Sequence, residues 1–243
     1  MSRAMSVTVE PTRGDEAARS SRVSVVIVLL ACGIGYAVLW PFMNDVVAAS
    51  LNPGYNHMTQ AISELSATAA PTRTMLRAMA PVFTVLMVAY GVGVWMAAHG
   101  RRSLEVAGAV LAAFGFTGLM WLPFPMTSRT EMVAGAAMTA NDVGHIVLTV
   151  LTIVLILCQI GFGAAALGTR FRIYSAATAV MVLVFGAMTG MEAPGTALDD
   201  TPHMGLYERI STGAWLVWLA VFAIALIRRE LRRQRQGFEP APA

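Results

Sequence analysis

Six apolar blocks, each long enough to cross a bilayer, constrain this chain more than any other feature of it. They lie at about residues 23–43, 77–98, 104–124, 142–167, 173–191 and 201–227. Crossing ~30 Å of hydrocarbon takes about 20 helical residues, because each residue advances a helix by only about 1.5 Å. Lipid offers no water to backbone amides, so each block must satisfy its own hydrogen bonds as an α-helix. Composition agrees: 56% of residues are hydrophobic and 13% charged, against about 25% charged in a soluble domain. The sequence therefore predicts an all-α integral membrane bundle of six transmembrane helices. One such domain, residues 23–227, takes up most of the 243 residues.

Charge sets the expected topology. Every one of the 17 basic residues is Arg, which excludes lysine Schiff-base chemistry. Thirteen lie in the tails and in the short turns near His99 and Arg170, leaving only Arg73, Arg77, Arg129 and Arg209 in the other three connections. By the positive-inside rule both termini are cytoplasmic and the three longer loops face outward from the cytoplasmic membrane. The net charge of +3 thus reflects topology, and no nucleic-acid partner is implied. Residues 1–22 are too polar to bury a core and read as a disordered tail, and residues 228–243 as a basic cytoplasmic tail. The first block exceeds the roughly 7–15-residue core of a cleaved signal, so it reads as a retained helix. Cys32 and Cys158 lie inside apolar blocks without CxxC spacing and read as small buried hydrophobes.

The polar chemistry gathers in the outward loops. Loop one holds the run Asn56-His57-Met58-Thr59-Gln60-Ala61-Ile62-Ser63-Glu64-Leu65-Ser66. Met58, Ile62 and Leu65 recur at helical spacing, which predicts a short helix with one apolar stripe, ended near Pro71. His57 and Glu64, seven apart, would share another face. Asp142 and His145, three apart, share one face of the fourth helix. Thr201-Pro202 reads as the start of the sixth, which would raise His203, Tyr207, Glu208 and Arg209 to the interface.

Several readings of these residues stand side by side. His57, His145 and His203 are the metal candidates, an open zinc site with Glu64 or Asp142 as base. Ser63 is a candidate nucleophile, activated by one of the histidines. Tyr207, Glu208 and Arg209 are candidates for substrate binding, with Arg209, Arg73 or Arg77 pairing a lipid phosphate. Against these stands a structural reading: Asp142, Asp200 and Thr201 as helix caps, and Glu208–Arg209 as a mutual ion pair. His99, beside the cytoplasmic arginines, reads as an ordinary interfacial residue. Haem is disfavoured because the histidines sit at span ends, and coupled transport because no charge lies at mid-depth.

Three segments resemble a known family. His57 to Leu65, Asp142 to His145, and Gly205-Leu206-Tyr207-Glu208-Arg209-Ile210 are similar to segments of the prokaryotic six-span proteins catalogued as domain of unknown function 998. That family is itself distantly similar to the eukaryotic group containing Frag1, DRAM and Sfk1. The resemblance implies a six-span fold and a lipid-related neighbourhood, and transfers no catalytic role to any residue. The functional expectation is an outward polar site that binds or acts on a membrane lipid or lipid-linked substrate, by hydrolysis or acyl transfer if it is an enzyme. The alternative is a non-catalytic lipid-binding regulator or assembly factor.

Overall fold

A computed structural model describes residues 13–193 and 201–236, with side chains from Ser21 onward. The described chain is helical, without a strand. It comprises α1 (Arg13–Pro41), α2 (Arg73–Met96), α3 (Arg102–Met120), the short α4 (Arg129–Val133), α5 (Ala140–Ala166), α6 (Thr169–Glu192) and α7 (Met204–Gln236). All except α4 are long and apolar enough to cross a membrane, α1 together with the π-helical turns Phe42–Ala48 that continue it. The six-span expectation therefore stands.

The spans form a closed ring. α1 packs on α2, α2 on α3, α3 on α5, α5 on α6, α6 on α7, and α7 returns to α1. The core is built around α7, where Trp215, Trp218, Leu219 and Phe222 are buried. An indole N–H in an apolar interior needs a partner, and each finds one. Trp215 Nε1 donates to Gln159 Oε1 on α5 at 3.0 Å, and Trp218 Nε1 to Ser175 Oγ on α6 at 2.9 Å. From α2, the Tyr90 hydroxyl donates to the Leu219 carbonyl at 3.3 Å.

Small residues let two of these spans touch backbone to backbone. A Cβ on Gly91 would stand 2.6 Å from the Gly108 oxygen, and one on Gly108 would stand 2.6 Å from the Gly91 oxygen. Gly91→Ala is therefore expected to destabilise the protein by about 1–3 kcal/mol through overpacking of the α2–α3 contact. Gly190→Ala, inside α6 where the added carbon meets nothing, should be neutral or stabilise by up to about 1 kcal/mol. Thermal unfolding in detergent compares the two.

Element ends differ from the sequence reading in informative ways. Residues 13–22 are helical and extend α1 backwards. At its other end, the winding widens after Pro41, and the Asn44 amide donates to the Trp40 carbonyl at 2.9 Å. Loop one contains a single 3₁₀ turn, Ile62–Ser66, in place of an amphipathic helix; Ile62 and Leu65 are buried and Met58 is exposed. α7 begins at Met204, two residues after Pro202, because the Thr201 hydroxyl is bonded to loop one. The long connections after α1 and α3 (loops one and three) and the described end of the connection after α6 (loop five) meet at one end of the ring, the cap end. The short turns, the start of α1 and the end of α7 meet at the other, the tail end.

Candidate functional site

The cap is organised by two arginines. Arg209, in the second turn of α7, donates from Nε to Asp45 Oδ1 at 2.9 Å, joining α7 to the π-helical end of α1. Its Nη1 reaches the carbonyls of His57 (2.8 Å), Gly205 (3.0 Å) and Gln60 (3.2 Å). Its Nη2 donates to the Tyr55 hydroxyl at 2.7 Å, and that hydroxyl donates onward to the Ala61 carbonyl at 2.8 Å. Burial pushes the Tyr55 phenol well above its ordinary range despite the neighbouring guanidinium, so it stays a neutral donor. Gly205 makes this approach feasible: a Cβ there would overlap the Gln60 carbonyl and stand 2.5 Å from that of His57. The Leu206 amide donates to the Met58 carbonyl at 3.1 Å, and the Glu208 carboxylate accepts from the Ile62 amide at 2.6 Å. Adjacent residues of α7 thus grip loop one, in place of the Glu208–Arg209 pair expected from sequence.

The second arginine closes loop one from the other side. Arg129 opens α4 and holds the buried Glu64 carboxylate with two parallel bonds, Nε to Oε2 at 3.0 Å and Nη2 to Oε1 at 2.7 Å. Glu64 also accepts from the Ala61 amide at 2.9 Å and from the Gln60 side chain at 3.0 Å. Arg129 Nη1 donates to Thr201 Oγ1 at 2.9 Å, and Thr201 donates to the Thr59 carbonyl at 3.0 Å. Loops one, three and five therefore meet on one guanidinium.

Each remaining candidate has a local structural partner. The Asp142 carboxylate caps the start of α5, accepting from the Thr139 amide and hydroxyl at 2.8 and 2.7 Å. It also ties down loop three, through the Thr127 amide and hydroxyl at 2.6 and 2.8 Å. His145 Nδ1 lies 3.1 Å from the Phe124 carbonyl, so that nitrogen carries the proton, and its ring stands edge-on to Trp121. His57 Nε2 lies 3.0 Å from the Asp45 carbonyl. The His203 amide donates to Glu192 Oε2 at 3.0 Å, and its ring lies against Tyr207. Arg73 and Arg77 donate to the carbonyls of Thr68 and Leu122. Asp200 lies outside the described residues.

The three histidines therefore share an end of the bundle but not a centre. His57 turns to α1, His145 to the end of α3 and His203 to the end of α6. Among the described residues no three His, Cys, Asp or Glu side chains stand together as a metal-ligand set. Among the described residues the zinc arrangement with Glu64 or Asp142 as base is not assembled, and Glu64 faces Arg129 instead. No histidine bonds the Ser63 hydroxyl among the described residues, and its carbonyl accepts from Ser66.

A latch joins loop three to loop one. Glu131 accepts from the Ser128 hydroxyl at 2.7 Å and amide at 3.0 Å, and from the Thr68 hydroxyl. The Thr68 bond, then those from Ser128, hold the Glu131 carboxyl below its ordinary value. A depressed folded-state value means the latch contributes fully above the unfolded value, 4.5, and is lost as pH falls through the lower one. Spin labels at the exposed Ala69 and Ala134 should keep a narrow distance distribution down to about pH 5 and broaden only below it. Broadening near neutrality would contradict the latch.

Sequence reasoning missed Asp45, Tyr55, Thr127 and the pairing role of Arg129. The spacings Ser128-x-x-Glu131 and Thr139-x-x-Asp142 are capping boxes that were readable. The family model described as "Protein of unknown function (DUF998)" matches residues 31–225, which take in both arginine clamps and part or all of every span. The chain belongs to the DUF998 family. In this DUF998 protein the matched region starts within α1 and ends within α7, so the whole cap falls inside it. No curated protein and no solved structure matches the chain.

Proposed function

We propose that this DUF998 membrane protein binds a membrane lipid or lipid-linked molecule at its cap end, in the outer leaflet of the cytoplasmic membrane. The observation that carries the reading is an apolar rim on a rigid polar interior. Leu51, Met58, Val133 and Met138 are exposed although they stand in the connections or on the short α4, beyond the spans. Exposed apolar side chains next to a bilayer favour insertion among lipid chains. The arginine distribution supports the outward orientation of this end.

Binding is favoured over hydrolysis or acyl transfer because the groups such chemistry would need are engaged in fixing the cap. Glu64 is neutralised by Arg129, Asp142 is spent on four amide and hydroxyl donors, and among the described residues no histidine bonds the Ser63 hydroxyl. The rim would then select its lipid by shape and apolar contact around a preorganised scaffold.

Photocrosslinking in native membranes tests this. A benzophenone side chain at position 58 or 133 should capture one lipid class enriched over the bulk membrane. The same group at Val85, exposed on the α2 span, reports the bulk composition. Adducts at positions 58 and 133 that match those at position 85 would overturn the reading.

A further inference from the structure

A cavity of about 540 Å³ opens at the tail end, between the membrane-leaving turns of α1, α2 and α7. Val23, Val26 and Met96 form its apolar floor, and Arg22 and Arg233 stand at its sides. Its wall is Glu230, buried, with both carboxylate oxygens 3.0 Å from His99 Nε2. His99 reaches this position from a left-handed backbone (φ 47°) followed by Gly100 (φ 78°), a conformation unfavourable for a residue with a Cβ. The sequence had suggested only an ordinary interfacial histidine at this position.

The charges around the cavity do not balance. Glu230 is the acid that lines it, and the His99 contact already occupies that carboxylate; Arg233 Nη1 comes only to 3.8 Å of it. Arg22 makes no ion pair among the described residues. Two guanidinium groups therefore stand over an apolar floor with one carboxylate between them, already bonded to His99, an arrangement that suits an anion carried on an apolar tail.

We propose that this cavity binds the phosphate headgroup of an anionic phospholipid from the adjoining leaflet, with the acyl chains running along Val23, Val26 and Met96. Guanidinium groups bind phosphate oxygens bidentately. The volume falls in the range of small-molecule sites, about 300–1,000 Å³, and exceeds what a bare phosphate fills. The floor lies on membrane-crossing helices, and Val25 and Val28 of the same stretch of α1 are exposed, which favours a lipid over a soluble phosphate. The site lies at the opposite end from the cap and does not depend on the reading given there.

The test uses delipidated full-length protein in detergent, titrated with phosphatidylglycerol or phosphatidylcholine of matched chains and followed by native mass spectrometry. Wild type should retain phosphatidylglycerol preferentially. The double variant Arg22→Gln/Arg233→Gln should weaken that binding about tenfold and leave phosphatidylcholine unaffected. Arg235→Gln, on the same helix but outside the cavity lining, should change it less than about twofold. Equal loss in Arg235→Gln would mean diffuse attraction to the basic tail and would overturn the proposal, as would equal retention of the two lipids. Inorganic phosphate is the third titrant: binding as tight as phosphatidylglycerol, abolished by the same double variant, would make the site one for free phosphate and overturn the lipid assignment. Unchanged thermal midpoints in the variants confirm that the fold is intact.

Discussion

Arg129→Ala is expected to destabilise the protein by about 3–5 kcal/mol, the cost of stranding a buried carboxylate without its cation. The Glu64 and Arg129 side chains are 6% and 14% exposed, so solvent screens the pair little and cannot replace the lost partner. Two parallel bonds go with the guanidinium, together with its bond to Thr201, so loops one, three and five lose their common anchor. The double variant Arg129→Met/Glu64→Met should recover only part of the loss: replacing both members of a buried pair by apolar groups removes the desolvation penalty with the attraction, but the bonds from Ala61 and Gln60 to Glu64 and from Arg129 to Thr201 are not restored. Chemical unfolding in detergent of the two singles and the double separates these cases. A cost below about 1 kcal/mol for Arg129→Ala would class the pair with ordinary surface ion pairs.

Arg209→Lys is expected to cost nearly as much as Arg209→Ala, on the order of 2–4 kcal/mol. An ammonium is a point donor and cannot reach Asp45, three carbonyls and the Tyr55 hydroxyl from one planar group. The charge pairing itself contributes less here than at Glu64, since the Asp45 side chain is 26% exposed. Most of the loss comes from carbonyls of loop one left without a donor. Asp45→Asn, whose amide oxygen still accepts, should therefore be milder, about 1 kcal/mol. Gly205→Val should reproduce the damage by steric exclusion, because its side chain would occupy the space of the Gln60 and His57 carbonyls. If Lys at position 209 restored wild-type stability, charge alone would explain the residue.

The spans were legible because a hydrophobic run of membrane length admits one secondary structure. The cap was legible only in its location. Topology puts His57, His145 and His203 at one end of the bundle, and their clustering by side invited a metal reading. Each imidazole near a carbonyl, however, is held by backbone oxygen, from Asp45 for His57 and Phe124 for His145, and a backbone acceptor leaves no mark in sequence. The partners that matter are also remote along the chain. Glu64 and Arg129 are 65 residues apart, and Asp45 and Arg209 are 164. Local spacing could show the Thr139–Asp142 cap, which closes within one helical turn, but not a clamp across loops. Asp45 was hidden for another reason: the π winding after Pro41 carries the helix past the predicted end of the first span and sets its carboxylate facing α7.

Residues 55–68 form a locked platform rather than a mobile loop. Hydrogen–deuterium exchange of the protein in lipid nanodiscs measures this directly. The Ile62, Glu64 and Thr68 amides donate to Glu208, the Ala61 carbonyl and the Met126 carbonyl, so peptides covering them should exchange slowly, approaching the rate of the span ends. The same peptides should exchange at loop rates in Arg209→Ala while peptides within α2 and α3 stay protected. Rapid exchange of residues 55–68 in the wild-type protein would show that the clamps do not hold, and would contradict the platform.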